Sequence, residues 1–106
     1  MDERRPTIST HVLDVEHGRP AASVNVFLWR VDGEERRIGA GTTDEDGRIA
    51  SLLATELEAG DYELRFDLGG GFFLGLAVAF RVTDTARSYH VPLIVAPFSL
   101  ATYRGS

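Results

Sequence analysis

The sequence predicts an all-β domain, a sandwich of two packed antiparallel sheets with seven to eight short strands and little or no helix. Apolar residues recur with period two almost everywhere, the repeat of a strand that buries one face. Turn-forming clusters punctuate the chain about every eight to twelve residues, the spacing of sandwich strands. Only residues 51–58 offer a stretch that could be helical, and they read equally well as a turn.

The elements follow in order. Residues 7–15 are extended and β-branched. His17-Gly18-Arg19-Pro20 separates them from residues 23–31, which are apolar on both faces and therefore read as a central strand. Asp32-Gly33 is a two-residue hairpin signal, because Gly accepts the positive φ such turns demand. Residues 38–43 form the return strand, and the Asp44-Glu45-Asp46-Gly47 turn leads to a short strand at 48–50. Ala59-Gly60 opens the cleanest strand, 61–68: Tyr62, Leu64, Phe66 and Leu68 share one face, and Asp61, Glu63, Arg65 and Asp67 the other. Gly69-Gly70-Gly71 breaks the chain before strands at 76–83, 88–96 and 98–104. Tyr89, Val91 and Leu93 read as core, which turns His90 outward. Pro92 has no N–H to donate to a ladder, a sign of an edge or an irregular strand. Trp29 reads as core or subunit packing, and His17 as solvated.

Composition bounds the function. The 106 residues suit one domain spanning 1–106, with 1–6 expected to be flexible. There is no cysteine, so no disulfide, thiol nucleophile or thiolate metal site is available. A net charge of −5 disfavours nucleic acid, where phosphate neutralisation dominates affinity. The most apolar window, 72–80, is far short of the ~20 residues of a membrane-spanning helix. The N-terminal residues lack the apolar core of a secretory signal, so a cytoplasmic location is expected and no membrane partner. A domain this small gains from oligomerisation.

Residues 18–66 resemble transthyretin-like and carboxypeptidase-regulatory-like modules in general, many of them non-catalytic. The two ends are more specific. His11-Val12-Leu13-Asp14 precedes Gly18-Arg19-Pro20-Ala21; Tyr89-His90-Val91-Pro92-Leu93 precedes Ala96-Pro97-Phe98; and the sequence closes on Tyr103-Arg104-Gly105-Ser106. From about Thr7 to Ser106 this resembles the 5-hydroxyisourate hydrolases, the transthyretin-related enzymes of urate breakdown. Two departures are visible. Leu68-Gly69-Gly70-Gly71-Phe72-Phe73 stands where many members have a longer segment with a short helix, and Ala96 stands where serine is common.

The resemblance implies a transthyretin-like homotetramer with sites at the interface between dimers. It implies hydrolysis of the ring amide of 5-hydroxyisourate to 2-oxo-4-hydroxy-4-carboxy-5-ureidoimidazoline, with no metal or organic cofactor. The positions that match the family's site are His11, Arg48, His90 and Ser106 for catalysis, with His11, Arg48, Tyr103, Arg104 and Gly105 binding substrate.

Those residue types suit the chemistry. Opening a cyclic amide needs a polarised carbonyl, a water that loses a proton, a protonated leaving nitrogen and donors for the oxyanion. Imidazole titrates near working pH. A guanidinium offers a planar fork of donors to a carbonyl-rich ring. Each residue also has a plainer reading: His11 as a half-buried structural histidine, Arg48 as a solvated arginine pairing with Asp44 or Glu45, and residues 103–106 as a frayed end. A non-catalytic carrier of a small aromatic ligand on the same fold is the alternative, and a structural or adhesion module the third reading.

Overall fold

A computed structural model describes residues 5–105. Ten strands run in chain order: β1 (Ile8–Asp14), β2 (Arg19–Pro20), β3 (Asn25–Arg30), β4 (Arg36–Thr42), β5 (Arg48–Ile49), β6 (Gly60–Asp67), β7 (Gly75–Val82), β8 (Tyr89–His90), β9 (Leu93–Ala96) and β10 (Ser99–Thr102). They form two sheets. One has the order β4-β3-β6-β7 and is antiparallel throughout. The other has the order β10-β9-β1-β2, with β5 and β8 also paired to β1.

The faces that meet are set by strand alternation. From the β1 sheet come Ile8, Thr10, Val12, Ile49, Tyr89, Val91 and Leu93; from the other come Val26, Leu28, Tyr62, Leu64, Phe66 and Val82, all buried. Burying these side chains is the main driving force for closing the sandwich, at about 25 cal/mol per Å² of apolar surface. Thr10, the one aliphatic hydroxyl in these rows, donates to the Val91 carbonyl at 2.6 Å and so is buried without an orphaned group.

The expected sandwich is present, with several differences of detail. The β3–β4 connection is the five-residue loop 31–35 rather than a two-residue turn, although Gly33 does take a φ of +82°. The expected strand 88–96 is split into β8 and β9 around Val91-Pro92, where the proline has no N–H to continue the ladder. Arg19–Pro20 adds a short strand at Leu13. Residues 51–58 hold no helix: the Leu52 N–H donates to the Ile8 carbonyl at 2.8 Å, and Leu52 and Leu57 are buried. That segment is a strap laid on the sandwich, its donor taken by a strand rather than by a helical turn. β1 runs parallel to β8 and β9, against the antiparallel rule of the rest. Trp29 lies half-buried outside the core, under the Arg65 guanidinium at 4.0 Å. His17 is exposed, as expected, and bonded through Nδ1 to Asp14 at 2.8 Å. The reading of residues 1–6 as flexible falls mainly on residues 1–4, which lie outside the described residues.

Candidate active site

β1 is the spine of the site. One edge pairs antiparallel with β5, His11 opposite Arg48; the other runs parallel to β8, Ser9 opposite His90. Side chains of laterally paired residues point to the same face of a sheet. The alternate positions Thr10, Ile49 and Tyr89 go into the core. Ser9, His11, Arg48 and His90 therefore share the outer face, brought from three strands by one register.

Arg48 is set by its turn. Gly47 takes a φ of +75°, and a Cβ there would come within 2.4 Å of the Val12 carbonyl oxygen. The close approach serves a bond, since the Val12 N–H donates to the Gly47 carbonyl at 2.7 Å. The Asp44 carboxylate accepts from the backbone N–H of Asp46 at 2.9 Å and of Arg48 at 3.0 Å. An aspartate expected as an ion partner is thus used on the backbone. Among the described residues no ion pair engages the exposed Arg48 guanidinium, which leaves its fork of donors for a ligand.

The two imidazoles are held differently. His11 Nε2 lies 2.9 Å from the Asp46 carbonyl oxygen. A carbonyl can only accept, so Nε2 carries the proton and Nδ1 keeps the lone pair when the ring is neutral. His90 Nδ1 lies 2.8 Å from the Ser9 hydroxyl. Burial holds the His90 pKa below its ordinary 6.5, and the positive charges of Arg48 and His11 push it further down; the Ser9 backbone carbonyl acts weakly the other way. A neutral histidine within the field of an arginine is a competent proton acceptor at neutral pH.

The C-terminal segment closes on this group. The Gly105 N–H donates to the His90 carbonyl at 2.7 Å, and a Cβ on Gly105 would meet His90 Cδ2 at 2.5 Å. The Arg104 guanidinium lies 4.7 Å over the Tyr89 ring, whose side chain points away from the His90 face. The Tyr89 hydroxyl accepts from the N–H of Asp84 at 3.0 Å, so that ring is itself fixed. Arg104 is thereby seated apart from the two imidazoles. Tyr103 is 54% exposed. Ser106 lies outside the described residues.

Of the expected residues, then, His11, Arg48, His90 and Gly105 come together, while Arg104 and Tyr103 flank them. Two groups escaped the sequence: the Ser9 hydroxyl and the Asp46 carbonyl. Ser9 shares the strand face of His11, but its partner is 81 residues away, and the Asp46 group is main chain. An apolar cleft of about 400 Å³ opens elsewhere, beside Phe72, Phe73 and Phe98, and contains none of the site residues.

Comparison with known proteins bears on this arrangement. Residues 8–105 match the HIUase/Transthyretin family. A 5-hydroxyisourate hydrolase of Halalkalibacterium halodurans is 41% identical over 93% of this chain and 97% of its own. That of Deinococcus radiodurans is 40% identical over 95% of this chain and 97% of its own. Among solved structures, Klebsiella pneumoniae 5-hydroxyisourate hydrolase aligns with a TM-score of 0.83 and 35% identity, covering 95% of this chain and 99% of that one. Sea bream transthyretin in complex with thyroxine aligns with a TM-score of 0.84 and 28% identity, covering 92% and 93%.

Proposed function

The chain belongs to the HIUase/Transthyretin family, and we propose that it is an enzyme that hydrolyses 5-hydroxyisourate in urate degradation. The observation that carries this is the convergence of His11, Arg48 and His90 on one sheet face around β1, with Gly105 packed against His90. Near-full-length identity to curated 5-hydroxyisourate hydrolases supports the same reading.

In this mechanism the Arg48 fork polarises the carbonyl under attack and receives the negative charge that develops there. His90, kept neutral by burial and by Arg48, takes a proton from water as the oxygen adds to the carbonyl carbon. The ring C–N bond then breaks, and a histidine returns the proton to the leaving nitrogen. His11, its Nε2–H committed to Asp46, offers Nδ1 to the water or the substrate. The product is 2-oxo-4-hydroxy-4-carboxy-5-ureidoimidazoline. Tyr103 and the Gly105 backbone bound the substrate, and Arg104 anchors this segment through Tyr89; the role proposed for Ser106 is to offer its hydroxyl to the substrate.

The reading includes a homotetramer with sites at the interface between dimers, in the cytoplasm. Phe72, Leu74 and Phe98, each at least 70% exposed, are large apolar groups that a second copy would cover. Strand edges at β7 and β10 are open to pairing. Mass in solution tests this: about four subunits is expected, and a stable monomer would remove a site shared between subunits.

The experiment for the activity follows the ultraviolet absorbance of 5-hydroxyisourate, generated from urate by urate oxidase, with and without substoichiometric protein. Faster decay is expected. Decay at the spontaneous rate with folded protein defeats the hydrolase reading. It would favour a small-ligand carrier, the reading that the thyroxine-bound transthyretin supports.

A further inference from the structure

We propose that Ser9 is a positioning residue for His90: it takes the Nδ1–H of the imidazole and leaves Nε2 as the nitrogen that accepts the proton from water. The inference rests on the hydrolase reading above.

The geometry fixes the ring at its root and at two of its atoms. Its root is fixed by the β1–β8 register, with the Tyr89 N–H donating to the Thr7 carbonyl at 2.8 Å and the Val91 N–H to the Ser9 carbonyl at 3.0 Å. The Ser9 hydroxyl covers Nδ1 at 2.8 Å. Gly105 stands against Cδ2, so the ring cannot swing towards the C-terminal segment. Among the described residues no hydrogen bond is made to Nε2.

The direction of the Ser9–His90 bond follows from what the ring can offer before and after it takes a proton. A hydroxyl can donate or accept, whereas the imidazolium that forms in the reaction carries a proton on both nitrogens and can only donate. A Ser9 oxygen that accepts from Nδ1–H keeps this 2.8 Å bond in both states of the ring, which favours the proton on Nδ1. The positive charge of Arg48 opposes a second proton in the resting site. When water gives its proton to Nε2, the same Ser9 hydroxyl oxygen is in place to stabilise the imidazolium. Ring orientation matters here, because a displacement of about 1 Å in a catalytic group can lower a rate by roughly a hundredfold.

The test pairs a spectroscopic reading with kinetics. In ¹⁵N-histidine-labelled wild-type protein at pH 8, long-range ¹H–¹⁵N correlations of His90, assigned by comparison with His90→Gln, should show the Nδ1–H tautomer. The Nε2–H tautomer would overturn the proposal. Ser9→Ala should lower kcat by roughly ten- to a hundredfold, leave KM within about twofold, and mix the two tautomers. Ser9→Thr keeps the hydroxyl on a residue that suits a strand, and should restore both readings. Wild-type kcat in Ser9→Ala, or no recovery in Ser9→Thr, would each overturn it. If Ser9→Ala does not fold, the wild-type tautomer and Ser9→Thr still decide. The tautomer is read on resting protein, so absence of hydrolase activity would be a separate failure.

Discussion

Gly105 stands so close to the His90 imidazole that a single methyl group on its Cα would come within 2.5 Å of ring atom Cδ2. The same glycine donates its N–H to the His90 carbonyl at 2.7 Å, so the segment cannot retreat without losing a bond. In Gly105→Ala either the ring or residues 103–105 must move. The contact lies on the outer face at the end of the described chain, remote from the core. Turnover of 5-hydroxyisourate should fall by roughly ten- to a hundredfold. Thermal unfolding should change little. Unchanged kcat would show that the close packing is immaterial to the reaction.

Replacing the imidazoles should separate chemistry from folding. His11→Ala and His90→Ala each remove a group from the outer face and leave Thr10, Val12, Tyr89 and Val91 in the core. Proton transfer by a positioned side chain contributes roughly 10²–10⁴-fold, and losses in that range are expected in kcat. Circular dichroism and melting should remain close to wild type. If both variants turned over near the wild-type rate, the mechanism would be wrong.

Arg48→Lys tests the fork rather than the charge. Lysine keeps the positive charge but presents a point donor instead of a planar pair. The Asp44 carboxylate holds the turn through backbone N–H groups, so the substitution should not disturb the register. kcat should fall by at least about tenfold, because one good charged donor contributes more than a kcal/mol. Full activity in this variant would reduce Arg48 to a bare charge.

The pH dependence has a definite sign. The His90 pKa lies below 6.5, first through burial and then through Arg48 and His11. With the neutral ring as the proposed base, the acid limb of kcat/KM should fall below pH 6.5. Removing the Arg48 charge should move that limb upward. Stability follows the same sign. The unfolded chain binds the proton more tightly, so the contribution is complete above about pH 6.5 and is lost as pH falls through the folded pKa. A limb above 6.5 would contradict the environment described for His90.

Gly47→Ala should destabilise the fold and the site together. It places a side chain at a φ of +75° and a Cβ 2.4 Å from the Val12 carbonyl oxygen. A strained left-handed residue costs about 1–3 kcal/mol, which chemical denaturation can resolve. Because Gly47 also accepts the Val12 N–H, the turn that presents Arg48 should loosen and kcat fall.

Much was legible in the chain. Strand periodicity placed β1, β3, β6 and β7, and the alternation through Tyr89, Val91 and Leu93 put His90 outside the core. These are local properties: each depends on which residues are apolar and how far apart they stand. The motifs around His11, His90 and Tyr103-Arg104-Gly105 carried the family in the same way, since they are strings of residues. What the tertiary structure alone decided is pairing. Parallel addition of β8 and antiparallel addition of β5 to opposite edges of β1 bring His90 and Arg48 beside Ser9 and His11. That registry depends on chain segments up to 81 residues apart, and no short-range pattern encodes it. The contacts of Ser9, the Asp46 carbonyl and the Tyr89–Arg104 stack are set in the same way, by which groups meet once the two sheets close.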